Sequence, residues 1–163
     1  MVGYLSSRVR EIMEYYVNTD GSCRVDLNKA GASCIILTKK KYIHAECAAI
    51  TSTYALEAEL YGIIMCMKYM KENVELSSED SITLSVDSVK ALRMCNAIID
   101  GEDNEDFKTP FYQPTREAIE NILETGVQLF FKKVKAHKDG FNTNKVADRL
   151  SKVAITHFPV RAW

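Results

Sequence analysis

Four acidic side chains stand where a lone carboxylate is expensive. They are Asp20 in Thr19-Asp20-Gly21-Ser22, Glu59 in Ala58-Glu59-Leu60, Asp87 in Val86-Asp87-Ser88, and Asp148 in Asn144-Lys145-Val146-Ala147-Asp148. Each falls at the predicted end of a strand or on an apolar helix edge, and acids so far apart in sequence need a reason to share a site. A divalent metal is the usual reason, because it cancels their mutual repulsion and accepts oxygen ligands. The chemistry such a cluster serves is metal-assisted hydrolysis of a phosphodiester, which makes the chain a candidate metal-dependent nuclease.

Between Glu57 and Glu59 the helical period decides, since residues two apart point about 160° away from each other. Glu59 shares its stripe with Ile63, Cys66 and Met70, whereas Glu57 shares its own with Tyr61, Ile64 and Lys68, so Glu59 is taken as the inward acid. On the last predicted helix Val146, Leu150 and Val153 mark the buried side. Asp148 lies near its first turn, where the helix dipole favours a carboxylate.

The elements that must position these acids follow from periodicity. Leu5, Val9, Ile12 and Met13 suggest a short leading helix over 1–14, before Tyr15 to Asp20 switches to strand-forming residues. Strands are predicted at 31–38 and 41–50, with Lys39-Lys40 as the turn, giving an antiparallel meander. A helix over 54–72 comes next, then a strand at 81–86 and a helix at 89–99 capped by Ser88. Asp100 to Asp106 reads as a solvated acidic loop. A helix at 115–125 stopped by Gly126, a strand at 127–135 and a helix at 144–155 complete the series. The order βββαβααβα predicts an α/β domain, a mixed five-stranded sheet flanked by helices, with the two acids at strand ends on the carboxyl edge.

Composition sets the frame. The 163 residues, 47% hydrophobic and 26% charged, suit one soluble domain, divided into the leading helix, a core at 15–155 and a tail at 156–163. Five cysteines, an odd number with no Cys-x-x-Cys spacing, read as reduced core residues of a cytoplasmic protein rather than as disulfides or zinc ligands. No segment approaches the roughly 18 apolar residues of a membrane span. A formal net charge of -1 argues against a broad basic footprint, so any nucleic-acid contact is local, metal-assisted or helped by a partner.

Taken together, the motifs resemble ribonuclease H of type 1, including the RNase H domains attached to reverse transcriptases. The matching residues are Thr19-Asp20-Gly21-Ser22-Cys23, Ala30-Gly31-Ala32, Ala58-Glu59-Leu60, Val86-Asp87-Ser88, Val134-Lys135-Ala136-His137 and Asn144 to Ser151, in the family's order over about 15–155. The resemblance implies an RNase H-like fold, with three antiparallel strands followed by two parallel ones. It also implies endonucleolytic cleavage of the RNA strand of an RNA/DNA hybrid, leaving a 5′ phosphate and a 3′ hydroxyl. Two Mg²⁺ ions would serve, with Mn²⁺ the alternative, about 4 Å apart. Asp20 would bridge both ions, with Glu59 and Asp87 at one and Asp148 at the other. His137 would assist product departure or shuttle a proton. Main-chain groups of Gly21, Ser22 and Cys23, together with Asn144, would contact ribose and phosphate. The resemblance further implies a monomer with a replication or reverse-transcription partner.

Several stretches depart from the family. Its paired asparagines ahead of the helix glutamate are replaced by Thr51 to Leu56, leaving Thr53 as a hydroxyl for a DNA phosphate. Its glycine-rich turn is replaced by Arg24 to Lys29, and the basic protrusion of some members by Asp100 to Asp106, so substrate grip is predicted to be weak. Lys39-Lys40-Lys41 and Lys132-Lys133-Lys135 read as solvated strand ends. A nuclease of the same fold acting on DNA, or an inactive binding module, is the competing expectation.

Overall fold

The computed structural model describes residues 11–102, 108–133 and 143–161. Strands β1 (Glu14–Arg24), β2 (Lys29–Leu37) and β3 (Tyr42–Ile50) form the antiparallel meander. Helix α1 (Ala55–Asn73), strand β4 (Ser81–Val86), helices α2 (Val89–Ile99) and α3 (Tyr112–Leu123), strand β5 (Gln128–Lys133) and helix α4 (Thr143–His157) follow. The sheet order is β3-β2-β1-β4-β5, with β4 parallel to both β1 and β5; it is the mixed five-stranded sheet that the element order predicts, with the antiparallel and parallel strands that the resemblance implies.

Side-chain alternation along a strand sends neighbours to opposite faces, and two glycines show how tightly helices cover both. A Cβ on Gly21 would lie 2.6 Å from the Glu59 nitrogen, so α1 crosses β1 on one face. A Cβ on Gly31 would lie 1.9 Å from the Ser151 carbonyl oxygen. Gly21 pairs with Ala32, the next residue after Gly31, which puts α4 on the other face. Helices α2 and α3 join α1 over a core of Ile63, Met67, Met70, Ile82, Leu84, Met94 and Ile119, all fully buried. Burial of each such side chain contributes about 1.5–3 kcal/mol, which is what holds helices of ordinary propensity in place.

This close approach corrects the expected buried stripe of α4. Ala147, Ser151, Ala154 and Ile155 face the sheet, while Val146, Leu150 and Val153 are only half-buried. Without a Cβ on Gly31 the main chain of α4 at Ser151 comes close to the sheet, so the small Ala147, Ser151 and Ala154 make the contact face, with Ile155 packed beside Gly31. The Ser33 hydroxyl donates to the Ala147 carbonyl at 2.5 Å, and Asn18 donates to the Thr143 hydroxyl at the start of the helix.

The expected leading helix does not extend over Glu11–Met13, which carries no regular structure, and Glu14 already belongs to β1. Asp80 is the reason: its fully buried carboxylate accepts from the Met13 N–H at 2.9 Å and the Ser77 N–H at 3.0 Å, pulling the chain into the sheet. The remainder of that helix, residues 1–10, lies outside the described residues.

Helix α3 starts three residues before the expected Thr115, with Pro114 in its first turn, where no main-chain donor is needed. Its far end is closed by Gly126, whose φ of 85° suits glycine and whose N–H donates to Leu123 at 3.0 Å. The β1–β2 turn manages without glycine: Val25–Leu27 forms a 3₁₀ turn, and Asn28 takes the left-handed conformation at φ 48°. Beyond α4 the chain returns to the sheet edge, where Val160 bridges Ala49 in parallel and the Arg161 N–H donates to the Ala49 carbonyl at 2.7 Å. Among the described residues no helix is long and apolar enough to cross a membrane.

Candidate active site

The sheet has a step in it, and the acids stand at the step. Strand β1 pairs with β4 only from Glu14 to Asn18, then continues through Arg24 with β2 alone. Asp20 is therefore not at a strand end as expected; it lies inside the β1–β2 hairpin, two residues past the last pairing with β4. Asp87 follows directly on the last residue of β4, on the lower side of the step.

Helix α1 brings the third acid. Thr53 touches Cys23, whose thiol donates to its carbonyl at 3.8 Å; Ala58 and Glu59 lie over Gly21, and Gly62 over Thr19. The helix thus runs antiparallel to β1 and lowers Glu59 beside Asp20. Carboxylate oxygens of Asp20, Glu59 and Asp87 lie within 4.8 Å of one another. Asp148, in the first half of α4 on the opposite face, reaches the same Asp20 carboxyl and shares a hydrogen bond with it. Asp20 is the member common to both groups.

Glu59 is 7% exposed, and its Oε2 has no hydrogen-bond partner. Burial first, and then the charges of Asp20 and Asp87, push its carboxyl up to about 7, against hydrogen bonds from the Ser88 N–H and hydroxyl. Burial likewise pushes Asp20 to about 7, reinforced by Asp148 and Asp87 and opposed by the Gly21 N–H, which donates at 2.9 Å. Asp80 makes the contrast plain. It too is a buried acid, but main-chain donors satisfy it, and it serves the fold. Glu59 keeps a buried acceptor unspent, at a cost of about 1–3 kcal/mol to the fold.

Three carboxylates this close, one with an orphaned oxygen, fit a hard divalent cation such as Mg²⁺ or Mn²⁺, which takes oxygen ligands and removes the repulsion that raises both acids. Zinc chemistry has no comparable donor set here, since Cys34, Cys47, Cys66 and Cys95 are buried and Cys23 is half-buried. Burial also holds the Cys34, Cys66 and Cys95 thiols far above their ordinary range, so they act as core-filling groups.

Of the two helix acids, the structure selects Glu59, but not by the expected stripe. Tyr61 and Ile64 are buried as well, because α1 is covered on nearly every side. Glu57 is instead engaged at the helix start, accepting from the Ser52 hydroxyl at 2.6 Å and the Thr109 hydroxyl at 3.4 Å. The other expected contact residues divide. Gly21, Ser22, Cys23 and Thr53 line the raised part of the hairpin and the start of α1, and Ser22 Oγ is buried without a partner. Asn144 is half-buried in the first turn of α4, while His137 lies outside the described residues.

Three neighbours of the acids escaped the sequence reading. Ser88, expected only as a cap, does accept from the Ala91 N–H at 3.1 Å, yet it also braces Glu59. Lys152 pairs with Asp148 at 3.0 Å, an i,i+4 spacing that the sequence displays. Lys133, which the sequence suggests is solvated, donates to the Asp87 carbonyl at 2.8 Å and lies 3.7 Å from its Oδ1. Only the β4–β5 register, which sets Val86 beside Lys133, reveals that contact. Lys39 and Lys40 pair with Glu14 and Glu11 at 3.2 and 3.3 Å, at the end of the strands away from the acids.

The RNase H family model matches residues 13–156. Among solved structures, the chain is similar to RNase H1 from the halophilic archaeon Halobacterium salinarum NRC-1, with TM-score 0.64 and 18% identity over 88% of this chain and 98% of that one. The N-terminal RNase H domain of a Mycobacterium tuberculosis protein, solved as a maltose-binding-protein fusion, gives 0.65 and 17% over 88% and 94%. LC11-RNase H1, isolated from compost by a metagenomic approach, was solved in complex with an RNA/DNA hybrid, and that structure gives 0.64 and 22% over 87% and 96%. At such identities the structural likeness speaks for the fold. No curated protein sequence matches the chain. Because the family model runs unbroken from the first strand into the last helix, across every element that carries an acid to the step, the chain belongs to the RNase H family of ribonuclease hydrolases.

Proposed function

We propose that the protein cleaves the RNA strand of RNA/DNA hybrids by a two-metal-ion reaction, giving 5′-phosphate and 3′-hydroxyl ends. The observation that carries this reading is the trio Asp20, Glu59 and Asp87 within 4.8 Å, with Glu59 Oε2 buried and unspent. Family membership and the hybrid-bound LC11-RNase H1 support the choice of substrate.

Asp20 faces Glu59 and Asp87 on one side and Asp148 on the other, the arrangement needed by a carboxylate that serves two ion positions. When bound there, divalent ions neutralise charge on the phosphate, lower the pKa of an attacking water and stabilise the leaving 3′ oxygen. The protein's own groups supply the order. The Gly21 N–H orients Asp20, Ser88 orients Glu59, and Lys133 fixes the main chain that presents Asp87. With carboxyls at about 7, Asp20 and Glu59 release their protons as the cation is taken up near neutral pH. Main-chain groups of Gly21, Ser22 and Cys23, the Thr53 hydroxyl and the Asn144 amide are the proposed ribose and phosphate contacts. The His137 imidazole is the proposed group for moving a proton as product leaves.

Asp87→Asn tests the reading. Its side chain is 72% exposed, so stability should change by less than about 0.5 kcal/mol while Mg²⁺-dependent hybrid cleavage disappears on a gel. Full retained cleavage overturns the assignment. Replacing the target ribonucleotides by deoxyribonucleotides separates hybrid cleavage from DNA cleavage, because the former requires the 2′-hydroxyl.

A further inference from the structure

Tyr54 stands at the N-cap of α1, yet its side chain does none of the work of a cap. That work belongs to Ser52, whose hydroxyl accepts from the Tyr54 N–H at 3.0 Å and donates to Glu57 at 2.6 Å. Serine, threonine, aspartate and asparagine are the residues that favour an N-cap, and tyrosine brings nothing to it. Nor does the ring pack inside: Tyr54 is 67% exposed, against 5% for Tyr61 and 6% for Tyr112. Folding thus leaves a large apolar ring in water on a main chain held rigidly by Ser52.

Its position gives the ring a task. The Thr53 carbonyl accepts from the Cys23 thiol, so Tyr54 starts α1 beside the raised part of the hairpin. It precedes Glu59 by five residues, about 7.5 Å of helix rise, or roughly two nucleotide steps of 3.4 Å. The adjacent hairpin tip also exposes apolar side chains, Val25 at 66% and Leu27 at 53%. Three of the nearby cations are paired, Lys152 with Asp148, Lys133 with Asp87 and Arg24 with Asp26. Tyr54 thus adds an exposed π-face to the surface beside the acids.

Resting on the nucleic-acid reading of the acid cluster, we infer that the Tyr54 ring is a substrate contact, packing against a sugar next to the cleaved nucleotide. Apolar packing of a ring against a sugar tolerates any sequence and depends little on salt, which distinguishes it from phosphate binding.

The experiment is steady-state cleavage of a labelled RNA/DNA hybrid in Mg²⁺ by the wild type, Tyr54→Ala and Tyr54→Phe, with hybrid binding by fluorescence anisotropy over a salt series. Tyr54→Ala should raise KM and the binding Kd about tenfold, leave kcat within twofold, and leave both the salt slope and the Mg²⁺-induced rise in Tm as in the wild type. Tyr54→Phe should restore KM. A KM within twofold of wild type in Tyr54→Ala, or equal losses in the Ala and Phe variants, overturns the inference. If the wild type leaves hybrids intact but binds or cleaves duplex DNA, the hybrid reading fails alone, and the same comparison of Kd values on DNA decides Tyr54. A wild type that binds no nucleic acid overturns both.

Discussion

Removing the charge of Glu59 should stabilise the metal-free protein at alkaline pH, although the residue is buried at the centre of the site. In the folded state its carboxyl is raised from the ordinary 4.5 to about 7, so between those values the native state holds a proton that the unfolded chain has released. Stability therefore falls as pH rises through that window, and the full penalty is present above about 7. At about 1.4 kcal/mol per pKa unit the ceiling is on the order of 3 kcal/mol for Glu59. Asp20 moves in the same direction but is half-buried, so solvent screening leaves it a smaller share.

For a domain of this size 1 kcal/mol corresponds to about 2–4 °C in Tm. In EDTA, the wild-type Tm is expected to drop by roughly 5–10 °C between pH 5 and pH 8. Glu59→Gln should remove most of that slope and melt above the wild type at pH 8. Adding Mg²⁺ at pH 8 should raise the wild-type Tm and leave Glu59→Gln nearly unmoved, because binding to the native state alone is what stabilises. Thermal unfolding followed by circular dichroism at four pH values reads all of this. A metal-free Tm that is flat or rising from pH 5 to 8, or a Glu59→Gln variant with the wild-type slope, refutes the reasoning.

Two further substitutions separate fold from site. Gly31→Ala drives a Cβ to within 1.9 Å of the Ser151 carbonyl and must displace α4; a loss of about 3 kcal/mol in urea unfolding is expected, with Asp148 moved and cleavage reduced. An unchanged midpoint would show that α4 is not seated on Gly31. Asp80→Ala should cost about 2–4 kcal/mol by orphaning the Met13 and Ser77 N–H groups, while the Mg²⁺-induced Tm shift stays at its wild-type size. Loss of that shift would place Asp80 in the metal site.

Much of this protein was readable from residue order. The alternation of strand-forming and helix-forming runs is local, and it set the βββαβααβα series within a few residues of each boundary. Boundaries moved where a distant group intervened. Asp80 holds Met13 just ahead of β1, and Pro114 fits within the first turn of α3. Periodicity weighs hydrophobicity and points to Val146, Leu150 and Val153, whereas the missing Cβ of Gly31 lets α4 close in through Ala147, Ser151 and Ala154 with Ile155 beside them. The helical stripe points to Glu59, but α1 is buried nearly all round. What singles it out is the unspent Oε2, a fact about the space around it.

The sequence by itself determined which carboxylates were available and which elements carry them, because patterning and turn chemistry act over a few residues. Only the tertiary structure decided how those acids meet. The early end of the β1–β4 pairing makes the step, the crossing of α1 over Gly21 lowers Glu59 into it, and the seat of α4 on Gly31 brings Asp148 to the far side of Asp20. Those are long-range packing events, and with them came the raised carboxyls, the lysines that brace Asp87 and Asp148, and the ring of Tyr54 left in solvent. Spacing along a chain cannot encode them, because each depends on how closely two distant backbones can approach.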